Sequence, residues 1–189
     1  MAQSTMRFHV VTGGPGSGKS TLLDALAGAG LSRTVEAGRA IIQDQVAIGG
    51  SALPWCDPAA FAEQMLAWDM RSHHMAQDLP GPVLFDRAVP DVLGFLELSG
   101  LAVPVHMEAA ARRFRYHPQV FIAPPWREIF HRDAERRQDF AEACRTYEAM
   151  ARVYRRLGYR LVELPRVSVE ERVRFVRAHL GLAPQPVPE

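Results

Sequence analysis

At 189 residues, 48% of them apolar and 23% charged, the chain suits one α/β domain that buries a substantial core without a disulfide or metal staple. A formal net charge of +1 excludes bulk attraction to nucleic acid or an anionic membrane, so any polyanion site must be local. Cys56 and Cys144 lie far apart and read as reduced thiols, no run approaches the roughly 18–20 apolar residues of a membrane span, and the short apolar run Phe8–Val11 leads into glycines rather than a cleavage site; a cytoplasmic protein is expected.

In chain order, Arg7–Thr12 is a β-rich run ending in glycines and is predicted to be the first strand. Ser20–Ala29 carries Leu22, Leu23 and Leu26 at helical spacing, with Gly28 and Gly30 as stop signals. Arg33–Glu36 (RTVE) reads as a short second strand, Arg39 to Ile48 as a helix, and Gly49–Pro58 as a loop. Ala59–Ala76 has no internal Gly or Pro and is predicted helical. Pro82–Phe85 is an apolar run ending in Asp86, the pattern of a buried parallel strand. Helices are expected over Val92–Ser99 and Met107–Arg115, a fourth strand over Gln119–Ala123, and one long charged helix from Arg127 to Leu157. Tyr159–Leu164 is the fifth strand, and Ser168 with Glu171 forms a capping-box start for a closing helix to Leu180. Alternating strands and helices argue for one three-layer α/β domain over residues 1–182, with a mostly parallel sheet and a frayed, proline-rich tail over 183–189.

The chemistry concentrates after the first strand. Gly13-Gly14-Pro15-Gly16-Ser17-Gly18-Lys19-Ser20, followed by Thr21, fits G-x-x-x-x-G-K-[ST]. Glycines admit phosphate oxygens to the backbone amides, and the following helix N-terminus favours the anion. Lys19 is expected to reach the β- and γ-phosphates of ATP, and the Ser20 hydroxyl to ligate Mg²⁺. Lys19 is also the only lysine among the 22 basic residues, and asparagine is absent. A coding bias towards arginine thus stops at the position where a compact ammonium, and not a planar fork, suits a nest of amides.

Asp86 stands where a second acidic motif would support the Mg²⁺ shell, or else caps the next helix. Arg87 is a candidate clamp on donor or acceptor, with an ion pair as the competing reading. Glu36 is placed to take a proton from an attacking hydroxyl, and Arg39, three residues on, to neutralise an acceptor anion, unless the two form an ordinary local pair. Arg132 and Arg136, in a lid over about 124–140, are candidates to close over the transferring phosphoryl group. His73 and His74 have no carboxylate at ligand spacing, and the three tryptophans read as packing.

Through the phosphate loop, Glu36-Ala-Gly-Arg39, Phe85-Asp86-Arg87 and the arginine-rich segment after the fourth strand, the chain resembles P-loop small-molecule kinases. It is most similar to a family of bacterial AAA-labelled predicted ATPases over nearly all of residues 6–182, and more distantly to ribosylnicotinamide, nucleoside, nucleotide and shikimate-type kinases. The resemblance implies a five-stranded sheet in the order 2-3-1-4-5 with helices on both faces, and adenine near Pro165–Val167. It also implies ATP with Mg²⁺, a small nucleoside- or nucleotide-like acceptor, and no nucleic-acid or membrane partner; a homodimer is compatible with it. Without asparagine, an N-K-x-D guanine-reading motif cannot exist. The expectation is therefore a kinase, with a regulatory ATPase or nucleotide switch acting on a protein partner as the alternative.

Overall fold

A computed structural model of the chain describes residues 5–130 and 139–183. Five strands, β1 (Phe8–Gly13), β2 (Ser32–Arg33), β3 (Val83–Asp86), β4 (Gln119–Ala123) and β5 (Arg160–Glu163), form one sheet in the order β2-β3-β1-β4-β5. All four pairings are parallel. The expected order 2-3-1-4-5 is what the structure has. Strand β1 lies at the centre and all six of its residues are buried, His9 and Thr12 among them, as expected of a central parallel strand covered on both faces.

The two-residue strand period sorts the core into faces. Phe8, Val10, Val83, Phe85, Val120 and Ile122 point to one side, where Met150, Ala151 and Tyr154 of helix α6 (Phe140–Arg156) cover them. Val11, Leu84, Phe121 and Ala123 point to the other side. There they meet Leu22, Leu23 and Leu26 of α1 (Lys19–Gly28) and Val173 and Val176 of α7 (Val169–His179). A third apolar cluster joins α2 (Ala37–Ile48), α3 (Pro58–Met75), α4 (Val89–Leu98) and α5 (Val105–Arg113). The expected cap forms, with Ser168 and Glu171 satisfying each other's backbone amides at the start of α7, and Asp57 accepts from the Ala60 amide at the start of α3.

Two expected elements differ. The second strand is two residues long and ends at Arg33, not Glu36. Thr34 still donates its amide to the Leu84 carbonyl, but Val35 is 62% exposed and the chain then turns into α2 with Glu36 at its N-cap position. At this sheet edge no layer covers Val35, so its β propensity is not backed by packing. The expected helix from Arg127 to Leu157 is also not continuous: a 3₁₀ turn spans Arg127–Ile129, and α6 starts only at Phe140, where Asp139 accepts from the Glu142 amide at 2.7 Å. Arg132 and Arg136 lie outside the described residues. No described helix is long and apolar enough to cross a membrane.

Candidate active site

The phosphate loop is a turn from which side chains have been removed wherever the rest of the protein comes close. A Cβ on Gly13 would strike the Ala123 carbonyl, and one on Gly14 would strike the Ala143 carbonyl at the start of α6. Gly18 caps α1 with φ 75°, and Gly16 lies against the Phe130 ring, 2.5 Å from where its own Cβ would stand. Inside the turn, Lys19 Nζ donates to the Gly14 carbonyl at 2.6 Å, the Gly13 carbonyl at 3.0 Å and Ser17 Oγ at 3.3 Å. Ser17 Oγ in turn donates to the Gly14 carbonyl at 2.8 Å. Burial, and next the neighbouring Arg87 charge, lower the Lys19 ammonium to about 7. A polyphosphate entering the turn would supply the anion this buried cation lacks.

The ends of β1 and β3 bring acidic and basic groups beside that lysine. Arg87 follows β3 at φ 64°, a left-handed conformation that a side chain of its kind seldom adopts. It donates from Nε to Glu36 Oε1 at 2.9 Å and from Nη1 to Asp91 Oδ1 at 3.3 Å. Burial opposes its charge, but Glu36, Asp91 and Asp86 outweigh that and raise its pKa. For Glu36, burial pushes upward while Arg87 and Lys19 pull down, and the net is a carboxyl held below its ordinary value. Asp86 is pushed up to about 6, first by burial and then by Glu36. Its backbone amide donates to Thr34 Oγ1 at 3.2 Å, whereas its carboxylate Oδ1 is buried without a hydrogen-bond partner.

Lys19, Glu36, Arg87 and Asp91 open onto one cavity of ≈ 240 Å³, whose wall also includes Pro15–Thr21 and Arg39. Glu36 is paired with Arg87 in the structure, and Arg39 adds a further positive charge that helps depress the Glu36 carboxyl. Much of the remaining wall is apolar. After β4, Arg127 lies over the Phe140 ring at 4.3 Å and Phe130 meets that ring edge-on at 5.5 Å, while Phe130 also packs against Gly16 of the phosphate loop. His73 is in the core, edge-on to Phe8, Phe114 and Tyr116, and the described residues contain no cluster of three or more metal-ligating side chains.

The profile of an AAA domain family matches residues 8–172. The chain belongs to this family. No curated protein sequence matches it. Among solved structures, a NadR protein in complex with NR superposes with a TM-score of 0.71 at 16% identity, over 98% of this chain and 54% of that one. The chain thus spans about half the length of that protein. A deoxyadenosine kinase from M. mycoides with bound dATP gives 0.63 at 12% identity over 92% and 99% of the two chains. A shikimate kinase from Acinetobacter baumannii in complex with shikimate gives 0.57 at 14% over 95% and 96%. At these identities the likeness is one of fold, the P-loop kinase-like fold.

Three groups at the site of this AAA domain protein are not apparent from its sequence. Asp91, in the first turn of α4, is 1% exposed and accepts from the Ala88 amide at 3.0 Å, the Tyr154 hydroxyl at 2.6 Å, Arg87 and the Thr12 hydroxyl. Its spacing four residues after Arg87 was the one available signal. Asp69 of α3 is buried behind it, and burial together with Asp91 raises its carboxyl well above the ordinary range. Arg172 of α7, 2% exposed, donates to the Ser17 carbonyl at 3.1 Å and lies 2.8 Å from where a Gly18 Cβ would stand. Nothing in the spacing of Arg172, Arg174 and Arg177 marks the first of them.

Proposed function

We propose that the chain is an ATP-dependent kinase that moves the γ-phosphoryl group to a hydroxyl of a small metabolite of nucleoside-like size. The observation that carries this reading is the convergence, on one cavity, of the buried Lys19 ammonium in its glycine turn and the ionised Glu36 held by Arg87. The fold shared with a deoxyadenosine kinase and a shikimate kinase supports it.

In this reading the amides of Gly13–Thr21 and the Lys19 ammonium bind the phosphates of ATP. Arg87 fixes the Glu36 carboxylate in place, ionised and facing the cavity. The acceptor oxygen attacks the γ-phosphorus, its proton passes to Glu36, and the bond to the bridging oxygen breaks so that ADP leaves with the electron pair. Arg39, which lines the cavity, is assigned to the acceptor, and Arg132 and Arg136 are assigned to neutralise charge on the transferring group. Mg²⁺ fits the residues present: Ser20 and Asp86 would hold it, and the buried, unpartnered Asp86 Oδ1 is a donor atom suited to the ion or its water. When bound, Mg²⁺ offsets negative charge on the phosphates.

The test is ADP release from ATP in the presence of nucleosides, nucleotides and pyridine ribosides. Stimulation by one acceptor class is expected. Lys19→Ala is expected to lower the stimulated rate about 10²–10³-fold, the usual cost of one charge-stabilising group, while near-UV circular dichroism stays native. A slow rate that no acceptor changes would support a nucleotide switch instead, and undiminished transfer by Lys19→Ala would remove the loop from the mechanism.

A further inference from the structure

We infer that Arg172 is a positioning residue for the nucleotide: from behind the phosphate loop its guanidinium polarises the Ser17–Gly18 peptide towards a bound triphosphate that it does not touch. The inference rests on the nucleotide-binding part of the kinase reading and adds a residue to it. Arg172 is among the largest fully buried side chains of the protein, at 2% exposure. Its Nη1 donates to the Ser17 carbonyl at 3.1 Å, its Nε is buried without a partner, and the guanidinium lies 5.9 Å from the centre of the Trp126 ring.

The competing reading is a cation that fastens α7 to the loop through an ion pair. No such pair forms. Among the described residues no carboxylate meets Arg172, and burial lowers its pKa with no acidic neighbour to raise it again. Glu170 and Glu171 of the same helix are exposed, and Glu171 accepts from the Ser168 amide. Arg87 shows the contrast, with Glu36 and Asp91 both on its donors. A buried cation without an anion costs folding free energy, a cost that a triphosphate in the loop would offset. The intervening peptide supplies the path. In a trans peptide the carbonyl and the amide point in opposite directions, and the chain has no cis bond among the described residues. With Arg172 on the Ser17 carbonyl, the Gly18 amide is therefore directed away from α7, and Gly18 lines the cavity. A charged donor on the carbonyl strengthens the N–H of the same unit as a donor to phosphate. Gly18 also leaves room for the guanidinium, since a Cβ there would stand 2.8 Å from Nη1.

The experiment uses the full chain with Mg²⁺. Calorimetry measures binding of ATP and of inorganic tripolyphosphate to the parent, Arg172→Met and Arg172→Lys, and urea denaturation without nucleotide measures stability. Arg172→Met should weaken both ligands about tenfold, the scale of one hydrogen bond to a charged group, while its nucleotide-free midpoint is not lowered. Arg172→Lys keeps the charge and should recover most of the lost affinity. Unchanged affinity in Arg172→Met, or equal weakening by both variants, overturns the inference. So does an Arg172→Met chain that unfolds or loses stability, since that would make the residue a structural anchor of α7. A loss confined to ATP, with tripolyphosphate unaffected, overturns it too, by placing Arg172 and Trp126 at the base. Should the parent bind neither ligand, the nucleotide reading of the site fails, and this inference with it.

Discussion

Along one part of the cavity wall the residues are consecutive, from Pro15 to Thr21; its apolar part is assembled from Ile42, Phe61, Met65, Phe95, Leu98 and Met150, which arrive from four helices. The first part belongs to a loop of backbone, closed off by neighbours that leave no room for a Cβ on Gly13 or Gly14. The second is made of side chains, replaceable one at a time. In the proposed kinase, recognition of phosphate would be tied to the path of the main chain, whereas recognition of the acceptor could change without disturbing the fold.

Asp91 ties β1, Arg87 and α6 together from the helix that also carries Phe95 and Leu98, and removing it is the harshest way to break the contrast. Asp91→Ala leaves the buried Tyr154 and Thr12 hydroxyls, the Ala88 amide and one edge of Arg87 without their acceptor. The loss expected is about 3–5 kcal/mol, as for half of a buried pair, read by urea denaturation; a change below 1 kcal/mol would mean that the network is not shared between β1, α4 and α6. Gly14→Ala acts on the backbone-built part alone. Its Cβ would press on the Ala143 carbonyl, so a destabilisation of about 1–3 kcal/mol is expected from the forced shift, together with weaker ATP binding by calorimetry. A variant as stable as the parent would show that α6 yields to the loop.

The gentlest probe is pH. Asp69 has a raised carboxyl, so between its unfolded and folded pKa values the native state holds a proton that the unfolded chain has released. Stability from this group is then full below about pH 4 and declines as pH rises, by up to about 1.4 kcal/mol per unit until the folded value is reached. Asp69→Asn should flatten that slope in denaturation curves taken from pH 4 to 7. Parallel curves for the two proteins would place an ionised Asp69 in the fold.

The phosphate loop was legible because its chemistry is contiguous: eight residues in a row announce a turn, a strand before it and a helix after it. Strand–helix alternation and the capping signal at Ser168 were legible for the same reason, being local. Glu36, Asp86 and Arg87 could be named as candidates, but their mutual arrangement could not, since it depends on Arg87 adopting φ 64° and reaching across 51 positions to Glu36. Asp69, Asp91 and Arg172 take their importance from what the fold packs against them. Residues 33–36 and 127–157 misled because propensity was read without its neighbours: Val35 has no covering layer, and Asp139 restarts a helix that charge pattern alone would run through.

The solitary lysine has one more consequence. Apart from the amino terminus, amine-directed chemistry on this chain has a single address, a side chain 7% exposed and lowered to about 7. Lysine acylation or carbamylation is thus confined to the glycine turn, and the extent of Lys19 labelling doubles as a gauge of whether that turn is filled.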